Sequence, residues 1–459
     1  MKNKNKTVFV CEKCGADSPE WTGKCLQCGE WNSLKEFHIK DQRSKIKTTD
    51  QISKITPIMD VGNGKWEAGT GSEKRDTGNQ RITTKIEEFD RVVGGGLVPG
   101  MVVLLAGEPG VGKSTLLLAL PKNIGLKVLY VCGEESKEQV SLRAKRIDQI
   151  SNIKNQKLNQ LSLWEETDVD EICEIIRSKE YGLVMVDSIQ TMSCADVESS
   201  AGSMAQVREC GGRLTQAAKQ SGVCLIIVGH ITKEGSIAGP KILEHMVDTV
   251  LTLEGERFSN LRLLRTNKNR FGATDETGVF QMEEGGLREV KNPSEFLLKD
   301  TNSTNTNTNK TNTNNAGRVI TVAMEGTRPI LVPIEALLVK TFLPVPRRVF
   351  SGLDFNRMQI VLAVLQKHLN LPLWQYDIYL STAGGFKISE PGADLAAALS
   401  LVSAFKNQDY SQTVAFGELG LLGNVRGVSF QEKRLKEAAR FGFKQVLSST
   451  TLRRITEIK

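Results

Sequence analysis

The segment VVLLAGEPGVGKSTLLLAL contains the phosphate-binding pattern G-x-x-x-x-G-K-[ST] without a gap. In such a loop, backbone N–H groups close around phosphate oxygens. Lys113 would reach the β- and γ-phosphates of ATP, and the Ser114 hydroxyl would ligate Mg²⁺. The predicted nucleotide-binding residues of the loop are Gly107, Glu108, Pro109, Gly110, Val111, Gly112, Lys113, Ser114 and Thr115.

Three further apolar runs end in polar residues that suit phosphate chemistry. KVLYVCGEES ends near Glu134, YGLVMVDSIQT contains Asp187, and GVCLIIVGHITKEG contains His230. Asp187 fits the position that holds Mg²⁺ through water, and Glu134 suits a carboxylate that polarises the attacking water. His230 would sense the γ-phosphate. Two alternatives stay open, namely Glu134 as an acid at a helix N-terminus and His230 as a satisfied interior histidine.

Four cysteines near the start form a metal-binding pattern. Cys11 and Cys14 make one C-x2-C pair, and Cys25 and Cys28 make a second pair after ten residues. Two such pairs can supply the four thiolates of a tetrahedral zinc site, with no open position for catalysis. The alternative is a secreted module with two disulfides, which the lack of a secretion signal disfavours. We therefore predict a structural Zn²⁺.

The apolar runs that carry the phosphate-site residues alternate with helical patterns from Arg81 to about Gly286. This alternation predicts a doubly wound α/β domain. In an open parallel sheet, ligands bind at the carboxyl ends of the strands, so these polar residues are expected to meet in one crevice.

Composition limits the class of protein. The 459 residues include 60 basic and 53 acidic ones, and this net charge of +7 permits nucleic-acid contact without requiring it. No run approaches the roughly 18–20 apolar residues that span a bilayer. The N-terminus has no apolar signal region, so we expect a cytoplasmic protein without membrane contact. The other cysteines are expected to be small buried hydrophobes: Cys132, Cys173, Cys194, Cys210 and Cys224.

We divide the chain into five parts. They are a zinc module at 1–37, a polar linker at 38–80, an ATPase domain at 81–298, an Asn/Thr-rich linker at 299–317 and a second α/β domain at 318–459. TNSTNTNTNKTNTNN at 301–315 cannot bury enough apolar surface to offset chain entropy, which predicts a disordered connector. In the second domain, RMQIVLAVLQKHL predicts a helix with one apolar face: Met358, Val361, Leu362, Leu365 and Leu369.

The order of these motifs resembles the RadA (Sms) family of bacterial recombination and repair ATPases, within the RecA superfamily. The four-cysteine motif, GGGLVPG, GEPGVGKSTLL, GEES, VDSIQT, GHITKEGSIAGPKILEHMVDTV and KNRFG occur here in the order of that family. The resemblance covers nearly the whole chain. It implies a DNA-dependent ATPase that translocates on single-stranded DNA and promotes branch migration of recombination intermediates.

In RecA-like motors the ATP lies between subunits, so the resemblance also implies a homo-oligomeric ring. Lys268 and Arg270 of KNRFG would then reach the γ-phosphate bound by the adjacent chain and stabilise the transition state. The alternative is a solvated basic loop. Single-stranded and branched DNA are the implied partners, together with a recombinase.

Two glycine-bearing segments lie where RecA-like proteins keep DNA-binding loops. Residues 193–214 carry Arg208 and Arg213, and residues 232–245 carry Lys233 and Lys241. Neither segment contains an aromatic residue, which favours backbone contact over base reading.

The C-terminal segments GFKISEPGADLAAALSLVSA and AFGELGLLGNVRGVSFQEKRLKEAARFGFKQVLSS are similar to the proteolytic domain of Lon. The resemblance places Gly392 at the serine position and Glu432 at the lysine position of the Ser-Lys dyad. Ser389 and Lys433 are offset, so we expect a domain without proteolytic activity. As in the family, it would scaffold the ring and add DNA-binding surface: Arg347, Arg348, Lys433, Arg434 and Lys436.

Two rival functions are weighed against the DNA motor. An ATP-dependent Lon-type protease is disfavoured by Gly392 and Glu432. A filament-forming strand-exchange recombinase is disfavoured because the zinc module and Lon-like domain are additions to a minimal recombinase.

Overall fold

The computed structural model describes residues 6–11, 13, 17–18, 20–39, 56–57, 81–122, 124–150, 160–230, 240–255, 260–302 and 315–458. Most of the two predicted linkers therefore lies outside the described residues. Contacts divide the chain into two compact units, residues 1–255 with 262–289 and residues 256–261 with 290–459. No helix in these ranges has the length and apolarity needed to cross a membrane.

Three short strands form the N-terminal ribbon. Strand β1 pairs antiparallel with both β2 and β3, so β1 is central. The strands are β1 Lys6–Cys11, β2 Asp17–Ser18 and β3 Leu34–Ile39. Gly29, with φ of +76°, follows Cys28 in the turn that brings the second cysteine pair toward the end of β1.

The ATPase region alternates strands and helices as the sequence predicts. Its elements are β4 Thr56–Pro57, α1 Glu87–Val92, β5 Val102–Gly107, α2 Lys113–Ala119, β6 Val128–Cys132, α3 Lys137–Ile150, β7 Leu161–Glu165, α4 Val169–Ser178, β8 Leu183–Asp187, α5 Met204–Ser221, β9 Cys224–His230, α6 Pro240–Leu243, β10 Thr249–Gly255, β11 Leu261–Asn269, β12 Thr277–Glu283 and β13 Gly286–Glu289.

These strands form one ten-stranded sheet in the order β13-β12-β11-β10-β5-β9-β8-β6-β7-β4. The six strands from β10 to β7 in that order are parallel, whereas β10 with β11, β12 with β13 and β4 with β7 pair antiparallel. The carboxyl ends of β5, β6, β8 and β9 therefore lie at the same end of the sheet. An open parallel sheet binds its ligands at this end.

Helices cover both faces of this sheet, which explains the continuous apolar runs of its central strands. In β5, Val103 and Leu105 pack in the core that contains Leu116 of α2. Val102 and Leu104 pack in the opposite core, which contains Ile172 of α4 and Leu214 of α5. Because every residue of β5 is buried, the strand is a rigid base for the loop that follows it.

The second unit is also α/β. Its elements are α7 Pro293–Asn302, β14 Arg318–Glu325, β15 Arg328–Lys340, β16 Arg348–Ser351, α8 Phe355–Leu369, β17 Tyr376–Thr382, α9 Asp394–Lys406, β18 Thr413–Ala415, β19 Glu418–Leu419, β20 Val425–Arg426, α10 Gln431–Arg440 and β21 Gln445–Leu447. Six strands form a mixed sheet in the order β16-β17-β15-β14-β18-β21, and β19 pairs with β20.

The predicted apolar helix of this unit is α8. Asp354 caps it by accepting a hydrogen bond from the Arg357 N–H at 2.8 Å. Four of the five predicted core residues are buried, namely Met358, Val361, Leu362 and Leu365, and Leu369 in the last turn is half-buried.

The limit between the two units differs from the one we placed at 298. Helix α7 belongs to the second unit and packs on β15. The side chain of Leu297 is fully buried there, and Ser294 Oγ donates to Glu437 Oε1 at 2.8 Å and accepts from Leu331 N at 3.0 Å. Long-range contacts of this kind leave no signal in the local pattern of the sequence.

Candidate nucleotide and metal sites

The phosphate-binding loop connects β5 to α2. Gly110 and Gly112 adopt φ of +76° and +114°, the left-handed region that glycine tolerates. A Cβ atom at Gly112 would lie 2.8 Å from Met282 Cε, and one at Gly107 would lie 2.6 Å from Leu253 O. The loop therefore requires glycine for both conformation and space, which leaves its backbone open to a phosphate chain.

Lys113 is held inside this loop. Its side chain is buried, and Nζ donates to Gly107 O and to Glu108 O, both at 2.9 Å. Nζ also lies 3.1 Å from His230 Nδ1. Burial lowers the pKa of Lys113, and the negative charges of Asp187 and Glu134 oppose that shift. An ammonium placed in this way suits the β- and γ-phosphates of ATP.

Asp187 ends β8 beside the loop. Its Oδ2 accepts a short hydrogen bond from the Tyr130 hydroxyl. Burial raises the pKa of Tyr130 well above its ordinary value, and the Asp187 charge adds to this shift. The Asp187 carboxylate and the Ser114 hydroxyl are oxygen donors of the kind that Mg²⁺ prefers.

Glu134 lies at the centre of a polar network. Its Oε1 accepts a short hydrogen bond from Ser188 Oγ and lies 3.0 Å from His230 Nε2. The helix-cap alternative for Glu134 does not apply, because Ser136 caps α3 through the Gln139 N–H at 3.3 Å. The two ring nitrogens of His230 thus connect Glu134 to Lys113. The structure brings these residues together at the carboxyl end of the strands, and their catalytic roles stay predictions.

Three contacts of this site were not predicted from the sequence. Tyr130 bonds Asp187, Ser188 bonds Glu134, and Arg262 Nε donates to Val111 O of the loop at 3.1 Å. The one sequence signal is the polar hydroxyl of Tyr130 within the apolar run VLYVC. Ser188 and Arg262 have no such signal, because their contacts depend on neighbouring strands.

The ribbon cysteines are arranged for a metal. The Sγ atoms of Cys11, Cys25 and Cys28 all lie within 4.8 Å of one another, and Cys11 and Cys28 are 3.6 Å apart. Tetrahedral Zn²⁺ with Zn–S bonds of about 2.3 Å needs sulfurs roughly 3.8 Å apart. The three thiols form no disulfide, and Cys14 lies outside the described residues. The donor set therefore fits a structural zinc.

Lys268 and Arg270 lie toward the end of the strands that is opposite the phosphate loop. Lys268 pairs with Val250, and Val250 pairs with Leu104 near the start of β5, whereas Leu253 pairs with Gly107 at its end. Lys268 therefore lies about three strand residues, or about 10 Å, from the level of the loop. The structure does not bring the KNRFG cations to the phosphate loop of their own chain.

The two cations differ in their surroundings. Lys268 Nζ donates to Glu244 O at 2.6 Å and to Val247 O at 2.9 Å, and burial is the main cause that lowers its pKa. The Arg270 side chain is 54% exposed and lies 3.7 Å from the buried Asp248 carboxylate. Asp248 is fixed in turn by Lys219 Nζ at 2.9 Å. Arg270 is thus the outward cation of the pair.

The predicted DNA-binding segments are only partly described. Arg213 lies on α5 and is paired with Asp170, Asp196 and Glu209 at 2.6–2.9 Å, so it holds the fold rather than a phosphate. Residues 231–239, with Lys233, lie outside the described residues, and Lys241 lies in α6.

The two positions that the Lon resemblance assigns to a Ser-Lys dyad are Gly392 and Glu432, which supply neither a nucleophile nor a lysine base. Gly392 is buried, and a Cβ atom there would lie 3.0 Å from Arg434 Nη1. Arg434 is fully buried and donates to Glu390 at 2.8 and 2.5 Å. Lys433 Nζ donates to Thr327 O at 3.2 Å instead of meeting Ser389.

Two of the five predicted DNA-binding residues of this unit are corrected by these contacts. Arg434 is inaccessible, because its guanidinium fills the interior beside Gly392. Arg348 donates to Tyr376 O at 2.5 Å and to Leu373 O at 2.8 Å. Arg347, Lys433 and Lys436 are exposed.

The zinc module and the ATPase domain each match the model of a known protein family. A family model for ATPases, described as KaiC, matches residues 82–288, and one described as rubredoxin metal binding domain matches residues 9–36. Among solved structures, the RadB recombinase is 24% identical with a TM-score of 0.37, covering 46% of this chain and 100% of that one. A DnaB-like replicative helicase is 18% identical with a TM-score of 0.39, covering 47% and 63%.

Full-length relatives are more similar. The chain is 45% identical over 453 residues to the DNA repair protein RadA of Bacillus subtilis (strain 168), covering 97% of this chain and 92% of that protein. It is 43% identical to the DNA repair protein RadA of Aquifex aeolicus (strain VF5), covering 98% and 94%.

The two family models confirm the predicted zinc ribbon and RecA-like ATPase core. The enzyme is an ATP hydrolase, with ATP, Mg²⁺ and Zn²⁺ as its cofactors. The Lon-like character of the second unit stays a prediction.

Proposed function

Because the chain belongs to the RadA family of DNA repair proteins, we propose that it is a DNA-dependent ATPase of recombination and repair. In this proposal it translocates on single-stranded DNA and promotes branch migration of recombination intermediates. It acts in the cytoplasm as a homo-oligomeric ring, alongside a recombinase, on single-stranded and branched DNA.

The observation that carries the proposal is the position of Arg270. Its exposed guanidinium lies at the end of the strands away from the phosphate loop of the same chain. A neighbouring subunit in a head-to-tail ring can place Arg270 against a bound γ-phosphate, where it would stabilise the charge of the transition state. The solvated-loop alternative gives no reason for a cation fixed beside the buried Asp248.

The residues of one chain have separable roles in hydrolysis. Lys113 would bind the β- and γ-phosphates, and Ser114 and Asp187 would hold the Mg²⁺, which would neutralise their charge. Glu134 orients and polarises the attacking water. His230, 3.0 Å from Glu134 and 3.1 Å from Lys113, responds to the γ-phosphate because it contacts both groups.

His230 also gives a route for coupling hydrolysis to DNA. It is the last residue of β9, directly before the predicted DNA-binding segment 232–245. At the other end of that segment, Lys268 holds the carbonyls of Glu244 and Val247. His230, just before the segment, thus contacts the phosphate site of its own chain, and Lys268 of KNRFG, which would face the next chain, holds the carbonyls at the other end.

The second unit supports the ring as a Lon-like domain that has no protease activity. The Ser-Lys dyad is replaced by Gly392 and Glu432, and the buried Arg434–Glu390 pair occupies the space beside Gly392. Arg347, Lys433 and Lys436 are its candidates for DNA contact.

Hydrolysis of ATP by the full-length protein tests the proposal, with and without single-stranded DNA. We expect strong stimulation by DNA in the wild type, and loss of hydrolysis in Lys113→Ala and in Arg270→Ala. Loss of an arginine finger costs about 10³–10⁵ in rate. Arg288→Ala is the matched control, because this arginine is 75% exposed in the same unit and pairs only weakly with Glu283 at 3.6 Å.

A mixture of the two inactive variants tests whether Arg270 acts on the neighbouring chain. An interface between an intact phosphate loop and an intact Arg270 would form again in about a quarter of random head-to-tail contacts. Recovery of hydrolysis on mixing supports the trans-acting finger, and no recovery contradicts it. If DNA leaves the wild-type rate unchanged while Lys113→Ala abolishes it, the DNA-motor proposal is wrong.

A further inference from the structure

Tyr130 connects two elements of the phosphate site that come from distant parts of the chain. It lies in β6 with its side chain 1% exposed. Its hydroxyl donates to Asp187 Oδ2 at the end of β8. A residue assigned to Mg²⁺ therefore accepts a hydrogen bond from the interior of the sheet.

A buried tyrosine usually finds a hydrogen-bond partner for its hydroxyl, so the identity of the partner decides what the contact means. Here the partner is the carboxylate that must present oxygen atoms to the metal. Asp187 is itself buried, at 8% exposure. Hydrogen bonds from neighbouring groups fix the orientation of carboxylates that bind metals.

We infer that Tyr130 is a positioning residue for Mg²⁺, whose hydroxyl orients the Asp187 carboxylate before the metal binds. This inference rests on the proposed metal role of Asp187. Groups that hydrogen-bond metal ligands in this way typically change metal affinity by about 10–100-fold when removed. The phenol ring itself fills the core under the loop and is not required for this role.

The variant Tyr130→Phe removes the hydroxyl and keeps the ring. We expect it to raise the Mg²⁺ concentration for half-maximal binding of a fluorescent, non-hydrolysable ATP analogue by about tenfold. At saturating Mg²⁺ the variant binds the analogue as the wild type does. Binding of Mn²⁺ in the presence of the analogue, followed by electron paramagnetic resonance, measures the metal directly and should weaken by a similar factor.

Tyr181→Phe is the matched control. Tyr181 is also buried in the ATPase unit, at 5% exposure, but it lies just before β8, at the opposite end of that strand from Asp187. The control should leave the Mg²⁺ requirement unchanged. Thermal unfolding of both variants separates a general loss of stability from a change at the metal site.

Two outcomes overturn the inference. One is an unchanged Mg²⁺ requirement in Tyr130→Phe. The other is weaker nucleotide binding at every Mg²⁺ concentration, which would show that the hydroxyl shapes the nucleotide pocket instead. All measurements are made on the full chain without DNA, so they are independent of whether DNA stimulates hydrolysis. Asp187→Asn, tested in parallel, must also raise the Mg²⁺ requirement, or the proposed metal role itself fails.

Discussion

At the scale of single residues, burial decides what each side chain can do. Lys113 is enclosed by loop carbonyls and keeps its ammonium at the phosphate position, whereas Arg434 is enclosed by Glu390 and Val322 and serves only the interior. Both are basic residues in helices with polar neighbours. Their different fates follow from the space around them rather than from their type.

Arg434→Ala should destabilise the second unit strongly. Removing one partner of a buried ion pair leaves the Glu390 carboxylate without its cation, although it still accepts from Met324 N at 2.7 Å, and costs about 3–5 kcal/mol. Arg440→Ala on the same helix is the control, since Arg440 is 63% exposed in its pair with Glu437 and should cost at most about 1 kcal/mol. Chemical denaturation measures both, and similar losses for the two variants would contradict the assigned burial.

The buried cysteines should resist alkylation. Burial raises the pKa of Cys132 and of Cys173 to about 12, so at pH 8 only about one thiol in 10⁴ is the reactive thiolate. Raising the pH to 9 increases labelling of ordinary thiols and leaves these two mostly protonated. Mass spectrometry after native iodoacetamide treatment should find both unmodified. The ribbon thiols Cys11, Cys25 and Cys28 should label only after zinc is chelated.

At the scale of elements, β11 sets the direction of the KNRFG loop. Because β11 runs antiparallel to β10, its end lies level with the start of β5 and away from the phosphate loop. The two cations then divide their contacts. Lys268 is used within its own chain, on the carbonyls of Glu244 and Val247, and Arg270 is directed outward.

Lys268→Met should therefore reduce the stimulation of ATP hydrolysis by DNA more than it reduces the rate without DNA. Losing the two carbonyl contacts frees the end of the 232–245 segment, and coupling energies of this kind are worth about 5–150-fold. We expect DNA stimulation of the ATPase rate to fall while the rate without DNA changes little. Arg270→Ala, by contrast, should lower both rates, and equal behaviour of the two variants would contradict this division.

At the scale of the whole molecule, two α/β units with separate cores share one chain. The first has a ten-stranded sheet with a buried parallel centre, and the second has a six-stranded sheet. The contacts of α7 place the start of the second unit at Val290. A fragment that keeps α7 with the second unit should therefore begin at Val290.

A fragment of residues 290–459 should unfold at a higher temperature than one of residues 318–459. The shorter fragment lacks α7, so it loses the buried Leu297 and the Ser294 hydrogen bonds to Glu437 and Leu331. Removing one large buried aliphatic side chain alone costs about 2–5 kcal/mol. Differential scanning calorimetry of the two fragments makes the comparison. Equal melting temperatures would show that α7 adds nothing to this core.

The sequence by itself determined the ATPase class, the phosphate loop and the cysteine module. These features are local, since a glycine loop and a C-x2-C pair state their chemistry within a few residues. It also indicated the order of strands and helices, because burial on both faces of a parallel sheet leaves continuous apolar runs such as VVLLA and LVMVD.

The tertiary structure alone decided which distant residues meet. It joined Glu134 to Ser188 and His230, and it joined Asp187 to Tyr130. It also placed Lys268 toward the end of the strands that is away from Lys113. It also buried Arg434, bound Arg348 to backbone carbonyls and moved α7 into the second unit. The physical reason is the same in each case. Strand order and burial are set by contacts between segments far apart in the chain, and no single segment encodes them.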